Sequence, residues 1–151
     1  MKFIRSLGLM SGTSMDGLDC GLFDIKLTSD YNLDWKLVDF ETIPYSNKTR
    51  NMLDAYIYSN NNDINEIDQY IGKIFLKYVA IFLKSRHVDI IASHGQTIAH
   101  EDGYFSTQIG NPMFMYKKYN VPTIYNFRQA DIEMGGNGAP LMPFLDWLLF
   151  K

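Results

Sequence analysis

The chain has 151 residues, of which 46% are hydrophobic and 21% are charged, and its formal net charge is −3. This length and composition predict one globular domain with a sizeable core and exclude a disordered chain. The negative charge, without any cluster of lysine and arginine, argues against non-specific binding to nucleic acid. Apolar runs far shorter than the roughly 20 residues of a membrane span, and the lack of a signal-peptide core, predict a cytoplasmic protein.

The first part of the chain predicts an antiparallel β-meander. Apolar runs and loose alternation indicate strands over residues 3–10, 18–27 and 33–43, with a turn at residues 28–30. The single cysteine, Cys20, excludes an internal disulfide and is predicted to pack within the second strand. A sheet that opens with a meander differs from a parallel Rossmann-type sheet.

Two helices are predicted after the meander. Ser46 can cap a short helix that runs to about residue 59, and residues 60–62 form a connecting loop. Asp63 and Glu66 then have capping-box spacing. The helix that follows carries apolar residues at intervals of three and four, which predicts an amphipathic helix packed on the sheet. These residues are Ile64, Ile67, Ile71, Ile74, Phe75, Tyr78 and Phe82.

The second half of the chain predicts strands that alternate with helices. A continuous apolar run over residues 88–93 is typical of a buried parallel strand, and a further strand is predicted over residues 121–127. Residues 113–119 are predicted to be helical. Pro140 is predicted in the first turn of a last helix. The apolar stripe of that helix either folds back onto the sheet or needs a partner; it consists of Leu141, Phe144, Leu145, Leu148 and Leu149.

The turn between the first two strands is rich in glycine and hydroxyl groups and carries two aspartates. Such a turn lets backbone N–H groups approach a phosphate, and a carboxylate can hold Mg²⁺. It is not a GxxxxGK[ST] loop, because no lysine follows and the next residues predict a strand. A glycine-rich hairpin turn without a ligand is the alternative. The residues are Gly12, Thr13, Ser14, Met15, Asp16, Gly17, Leu18 and Asp19.

Polar clusters follow two of the later strands. His94, Gln96 and Thr97 come after the strand at 88–93, where side chains at the carboxyl end of a parallel strand reach the ligand crevice. We therefore expect them to bind a substrate rich in hydroxyl groups, the alternative being a structural histidine. Arg128 follows the strand at 121–127 and can clamp a carboxylate or phosphate.

Two alternatives stay open among these polar residues, and a zinc site is not expected. Arg128 and Asp131 can instead form a weak surface ion pair. The polar turn at residues 108–112 either binds a ligand or caps the next helix. His100, beside Glu101 and Asp102, does not have the spacing of a zinc site, so we expect no zinc there.

Motifs over nearly the whole chain resemble, in the same order, those of anhydro-N-acetylmuramic acid kinases, which are bacterial enzymes of peptidoglycan recycling. The motifs are GLMSGTSMDGLD at 8–19, SHGQT at 93–97, QIG at 108–110, and FRQADI at 127–132 followed by GGNGAP at 135–140. The first and last are specific. The resemblance implies an actin-like, ribonuclease H-type α/β lobe with a mixed sheet and helices packed on it.

The resemblance also implies a chemistry. Water opens the 1,6-anhydro ring while ATP phosphorylates O6, which gives N-acetylmuramic acid 6-phosphate. Residues 12–19 would then bind the nucleotide phosphates, with Asp16 as the tentative Mg²⁺ contact. The sugar and its lactyl carboxylate would be lined by His94, Gly95, Gln96, Thr97, Arg128 and Asp131.

Full-length members of this family are more than twice as long as the chain. Residues 1–151 are therefore predicted to be the single N-terminal lobe of a two-lobed kinase, with the general base in the other half. We expect a homodimer in the full-length enzyme, or a second polypeptide if the enzyme is split. The alternatives are a kinase of another sugar or carboxylic acid on the same fold, and a non-catalytic sugar-binding or sensor domain.

Overall fold

A mixed sheet of six strands forms the centre of the computed structural model, which describes residues 2–28, 32–58 and 63–150. Its order is β3-β2-β1-β4-β5, and β6 pairs with β4. The strands are β1 (Ile4–Ser11), β2 (Gly17–Leu27), β3 (Leu33–Pro44), β4 (Ile90–Glu101), β5 (Phe105–Ile109) and β6 (Thr123–Ile124).

The directions of the strands confirm the predicted meander. β1 pairs antiparallel with β2, and β2 pairs antiparallel with β3. β4 then returns beside β1 in the parallel direction, and β6 runs parallel to β4 on its other side. The predicted fold class, a mixed α/β lobe that opens with a three-stranded meander, is confirmed.

Five helices surround the sheet in the part of the chain that the structure describes. They are α1 (Asn47–Tyr58), α2 (Ile64–Leu83), α3 (Met113–Tyr119), α4 (Phe127–Glu133) and α5 (Met142–Phe150). The predicted caps are present, since Ser46 Oγ accepts from Thr49 N–H at 3.2 Å and Asp63 Oδ1 accepts from Asn65 N–H at 2.8 Å. None of these helices combines the length and the apolar character that crossing a membrane requires.

The core lies between α2 and one face of the sheet. Of the predicted apolar stripe, Ile64 is 41% exposed, whereas most of the other members are buried: Ile67, Ile71, Phe75, Tyr78 and Phe82. Cys20 is fully buried on β2, and this burial raises the pKa of its thiol to about 12. Cys20 is therefore a packed residue, as predicted.

The predicted end of the fourth strand is wrong. The strand continues past Ser93 to Glu101, because β5 takes over as its partner where β1 ends. Gln96 marks the change: it is in register with Ser11 on one side and with Ile109 on the other. His94, Gln96 and Thr97 therefore lie within β4 and not in a loop after it. β5 itself was not predicted.

The predicted strand at 121–127 is also wrong over most of its length. Only Thr123–Ile124 pairs with β4, and Asn126, whose φ is +59°, turns the chain into α4. Arg128 and Asp131 consequently lie on a helix. The last helix begins at Met142 and not at Pro140, because Gly138, with a φ of +78°, still belongs to the preceding turn.

The apolar stripe of α5 does not fold back onto the sheet. None of the residues of α5 is buried: of the stripe, Phe144 is 64% exposed, and Leu145, Leu148 and Leu149 are half-buried. Of the two predicted arrangements, packing onto the sheet is therefore wrong. The predicted turn at 28–30 and the loop at 60–62 lie, apart from Thr28, outside the described residues.

Candidate functional site

The glycine-rich turn connects the carboxyl end of β1 to the start of β2. Met15, with a φ of +49°, closes it by donating its N–H to the Gly12 carbonyl at 3.2 Å. Thr13, Ser14 and Asp16 are exposed, so the tip of the turn presents two hydroxyl groups and one carboxylate to solvent. These are groups suited to phosphate and to a hydrated metal ion.

At both ends of this turn, a backbone carbonyl accepts a hydrogen bond from a side chain. The Gly12 carbonyl accepts from Gln96 Nε2 at 2.6 Å, and the Gly17 carbonyl accepts from Ser11 Oγ at 2.7 Å. In a trans peptide the C=O and the following N–H point in opposite directions. The N–H of Thr13 therefore points away from Gln96, and the turn can direct that donor toward an anion.

Asp16 is fixed through its backbone and leaves its carboxylate at the surface. Its carbonyl accepts from Tyr45 N–H at 2.9 Å and from Arg50 Nη2 at 3.2 Å, and its carboxylate accepts from Ser14 Oγ at 2.8 Å. Within the described residues no group of three or more His, Cys, Asp or Glu side chains could hold a metal ion. A single carboxylate suits Mg²⁺, which usually takes one or two carboxylates together with substrate phosphates and waters.

The last residues of the predicted phosphate segment have other roles. The side chain of Leu18 is fully buried in the core. Asp19 accepts a hydrogen bond at 2.6 Å from the hydroxyl of Thr42, its cross-strand partner on β3. At Gly17 an added Cβ would lie 2.5 Å from the carbonyl oxygen of Ile43. Beyond Asp16, this segment therefore serves the strand pairing.

A cavity of about 340 Å³ lies beside β4, close to the start of α2 and the turn after β5. Among its lining residues are Ser93, His94 and Gly95 from β4, Asp68 from α2, and Asn111. Ser93 is 2% exposed, and its hydroxyl has no hydrogen-bond partner among the described residues. A buried hydroxyl without a partner is costly, which favours a site that a polar ligand completes.

His94 lines this cavity and forms a hydrogen bond with Arg128, which is not itself a lining residue. Arg128 Nε donates to His94 Nε2 at 2.8 Å, so this ring nitrogen has no proton, and Nδ1 donates to the Gly95 carbonyl at 3.1 Å. His94 is therefore neutral. Burial, and secondly the charge of Arg128, lower its pKa from the ordinary value of 6.5. The Nη groups of Arg128 are not used by this contact.

The lowered pKa of His94 predicts a pH-dependent stability. Between 6.5 and the lower pKa of the folded state the unfolded chain binds more protons, so the free energy of unfolding falls as the pH drops through this range. Urea unfolding from about pH 7.5 to about pH 5.5 should show a steeper loss in the wild type than in His94→Gln. Equal slopes would contradict this account of His94.

Four of the six predicted sugar-binding residues do not line the cavity, namely Gln96, Thr97, Arg128 and Asp131. Gln96 is fully buried and Thr97 is 2% exposed. The Gln96 amide is directed inward to Ser11 and Gly12, because β4 passes between β1 and β5 at this point. The expectation that the side chains of Gln96 and Thr97 reach a crevice is therefore wrong. His94 and Gly95 do line the cavity.

Asp131 organises the glycine turn that follows α4. Its carboxylate accepts from Gly138 N–H at 2.8 Å, and its carbonyl accepts from Gly136 N–H at 2.8 Å. Any Cβ at Gly136 would come within contact distance of the Asp131 carboxylate. The alternative of a surface ion pair between Arg128 and Asp131 does not hold, because Arg128 donates to His94 instead.

Asp68 is a residue of the cavity that the sequence analysis missed. Its carboxylate accepts from Gly110 N–H at 2.8 Å, and burial raises its pKa against the effect of this bond. In the sequence, the only signal for a role of Asp68 was its position on α2 next to buried Ile67. The apolar stripe of this helix was the stronger signal. Ser93 was quoted within the SHGQT motif but was not assigned a role.

We expect Asp68→Ala to lower the free energy of unfolding by about 1–3 kcal/mol, because the buried N–H of Gly110 loses its acceptor. Asp68→Asn keeps a carbonyl oxygen in the same place and is the matched control, with a smaller loss. Chemical denaturation of both variants measures the difference. The same loss in both would show that charge, and not the hydrogen bond, matters at this position.

Comparison with known proteins decides the family. The profile described as "Anhydro-N-acetylmuramic acid kinase" matches residues 4–151. This chain belongs to the anhydro-N-acetylmuramic acid kinase family. It is 36% identical to the enzyme of that name from Pelagibacter ubique, 37% to that from Shewanella loihica and 32% to that from Caldanaerobacter subterraneus. These alignments cover 99%, 95% and 96% of this chain.

The chain spans about two-fifths of the length of these curated relatives, since the alignments cover 42%, 41% and 41% of them. Among solved structures it is similar to Thermus thermophilus RuvC, with 13% identity and a TM-score of 0.44 over 97% of this chain and 78% of that one. The topology of the sheet has the expected opening meander.

Proposed function

We propose that this chain supplies the first phosphate loop and part of the sugar site of a kinase that converts 1,6-anhydro-N-acetylmuramic acid to N-acetylmuramic acid 6-phosphate. One observation carries the proposal. In a chain of this family, the turn at residues 12–17 follows β1, and the cavity residues His94 and Gly95 lie on β4, which is the parallel neighbour of β1. Carboxyl ends of adjacent parallel strands are where ligands of α/β sheets bind.

The proposed reaction consumes one water and one ATP. Water adds to the anomeric carbon, the bond from that carbon to O6 breaks, and O6 takes the γ-phosphoryl group while ADP leaves. Phosphoryl transfer depends mainly on positioning and on stabilisation of charge. In this chain the exposed donors of Thr13 and Ser14 hold phosphate oxygens, and Asp16 is the contact for Mg²⁺. The base that takes the proton of the water is expected outside these 151 residues.

Arg128 is proposed to bind the lactyl carboxylate of the sugar. Its Nε is occupied by His94, which orients the guanidinium and leaves the two Nη groups for a bidentate contact. Ser93 and Asp68 provide a hydroxyl and a carboxylate in the neighbouring cavity for hydroxyl groups of the sugar. The proposed enzyme acts in peptidoglycan recycling in the cytoplasm. It works as a homodimer, or together with a second-half polypeptide.

We expect these 151 residues alone to release ADP slowly or not at all in the presence of the anhydro-sugar, because the general base is expected in the other half of the enzyme. A coupled ADP assay with and without the sugar tests this. The matched control is the same assay on a protein that also carries the other half, which we expect to show sugar-dependent turnover. Sugar-dependent turnover by the 151 residues alone would contradict the expectation.

A further inference from the structure

Gln96 lies directly beneath the phosphate loop, and its side chain faces that loop and not the cavity. We infer that Gln96 is a positioning residue for nucleotide binding, which acts through Gly12 together with Ser11 and Tyr45. This inference rests on the proposed function, because it takes the turn at residues 12–17 to be the phosphate loop. It assigns Gln96 a role in nucleotide binding in place of the predicted role in sugar binding.

Every hydrogen-bonding atom of the Gln96 amide has a partner. Oε1 accepts from Ser11 Oγ at 2.7 Å, while Nε2 donates to the carbonyls of Gly12 at 2.6 Å and Thr97 at 3.0 Å. The side chain is fully buried. A buried amide with all its bonds formed is a rigid support, and loss of its donor leaves the Gly12 carbonyl with only the turn bond from Met15.

Ser11 joins the two ends of the loop. Its hydroxyl lies 2.7 Å from the Gly17 carbonyl, 2.7 Å from Gln96 Oε1 and 2.9 Å from the hydroxyl of Tyr45. The Gly17 carbonyl and Gln96 Oε1 are both acceptors, so the Tyr45 hydroxyl is the donor in its bond to Ser11. The single proton of Ser11 then serves the two acceptors in turn, and the network links Gly12 to Gly17.

Only glutamine fits this position. Asparagine is shorter by one methylene and does not reach both Ser11 and Gly12. Ionised glutamate keeps the length and the acceptor for Ser11 but places a second oxygen against the Gly12 carbonyl, so the variant is studied at a pH at which this carboxyl is ionised. Gln96→Glu therefore removes the donor with little change of volume, which makes it the most informative variant.

The test combines amide hydrogen exchange with two binding titrations on the whole chain. In Gln96→Glu we expect amide exchange over residues 12–17 to be about tenfold faster than in the wild type, while exchange in α2 stays unchanged. We expect binding of Mg·ADP to be about tenfold weaker. Binding of 1,6-anhydro-N-acetylmuramic acid should not change. Tyr45→Phe should speed the same exchange to a smaller extent.

Tyr78→Phe is the matched control. The hydroxyl of Tyr78 donates to the Pro44 carbonyl at 3.1 Å, and its ring stacks on Tyr45 with 6.3 Å between centroids. Neither of these contacts involves residues 12–17. It should leave exchange over residues 12–17 unchanged.

Unchanged loop exchange in Gln96→Glu, or weaker sugar binding at unchanged Mg·ADP affinity, would overturn the inference. If Gln96→Glu does not fold, the test uses Tyr45→Phe instead. Exchange over residues 12–17 that is the same in Tyr45→Phe as in Tyr78→Phe would then overturn the inference. A wild-type chain that does not bind Mg·ADP while Gln96→Glu still loosens the loop would contradict the proposed function, and Gln96 would then only order the turn at residues 12–17.

Discussion

Replacing Arg128 with alanine should weaken binding of 1,6-anhydro-N-acetylmuramic acid by about 100-fold. Two charge-assisted hydrogen bonds to a carboxylate contribute about 3 kcal/mol together, and each 1.4 kcal/mol is a factor of about ten in affinity. Arg128→Lys keeps the charge but loses both the planar fork and the contact of Nε with His94, so we expect an intermediate loss. An NMR titration of the chain with the sugar measures the three affinities.

The control for Arg128 is chemical. A 1,6-anhydro-sugar that lacks the lactyl group should bind the wild type and Arg128→Ala equally weakly, because it has no carboxylate to lose. Lys118→Ala, on the exposed side of α3, removes a positive charge outside the site and should change neither affinity. Equal losses for both sugars in Arg128→Ala would mean that Arg128 supports the fold and does not recognise the carboxylate.

Replacing Asp16 with asparagine should weaken binding of Mg·ATP by about tenfold or more. The substitution keeps the acceptor for Ser14 but removes the negative charge that attracts the metal ion, and a hydrogen bond or contact with a charged group contributes about 1.5–3 kcal/mol. Asp16→Ala should abolish Mg·ATP binding. Isothermal titration with Mg·ATP gives the affinities.

Two controls separate the metal from the phosphate. ADP without metal, in the presence of a chelator, should bind the wild type and Asp16→Asn with the same affinity. Asp54→Asn, on the exposed side of α1, removes an equal charge at a distance from the loop and should change neither titration. Unchanged affinity for Mg·ATP in Asp16→Asn and Asp16→Ala would rule out the metal role of Asp16.

The meander and the amphipathic helix could be predicted from the sequence because their signals are local. Apolar residues at three- and four-residue spacing identify α2 wherever it packs, and the caps Ser46 and Asp63 act within one turn. The turn between β1 and β2 could be predicted for the same reason, whereas its binding of phosphate stays a prediction. The glycine, hydroxyl and carboxylate groups that indicate this turn lie within eight consecutive positions.

The course of β4 could not be predicted, because it depends on a partner that follows it in the chain. Residues 94–101 are mostly polar and contain a glycine, and they form a strand because β5 pairs with them. The direction of the Gln96 side chain depends on the same pairing. Sequence alone placed it toward a ligand, whereas the sheet turns it toward Ser11.

The helix α4 was missed for a comparable reason. Asn126 adopts a left-handed conformation that ends the short strand β6, and a single residue of this kind has no periodic signal. Its consequence is the contact between Arg128 and His94, which are 34 positions apart in the sequence. Asp68 and Gly110 are likewise 42 positions apart, so their hydrogen bond was not visible before the fold.

The most direct test of the account is an NMR titration of the isotope-labelled chain, first with Mg·ADP and then with 1,6-anhydro-N-acetylmuramic acid. We expect Mg·ADP to shift the amide signals of residues 12–17, and the sugar to shift those of Ser93, His94, Gly95 and Gly110 and the Nε signal of Arg128. The sugar analogue without the lactyl group should leave the Arg128 signal unchanged. Shifts by either ligand that fall elsewhere, or that are absent at saturating concentration, would contradict the proposal that this chain carries a phosphate loop and part of a sugar site.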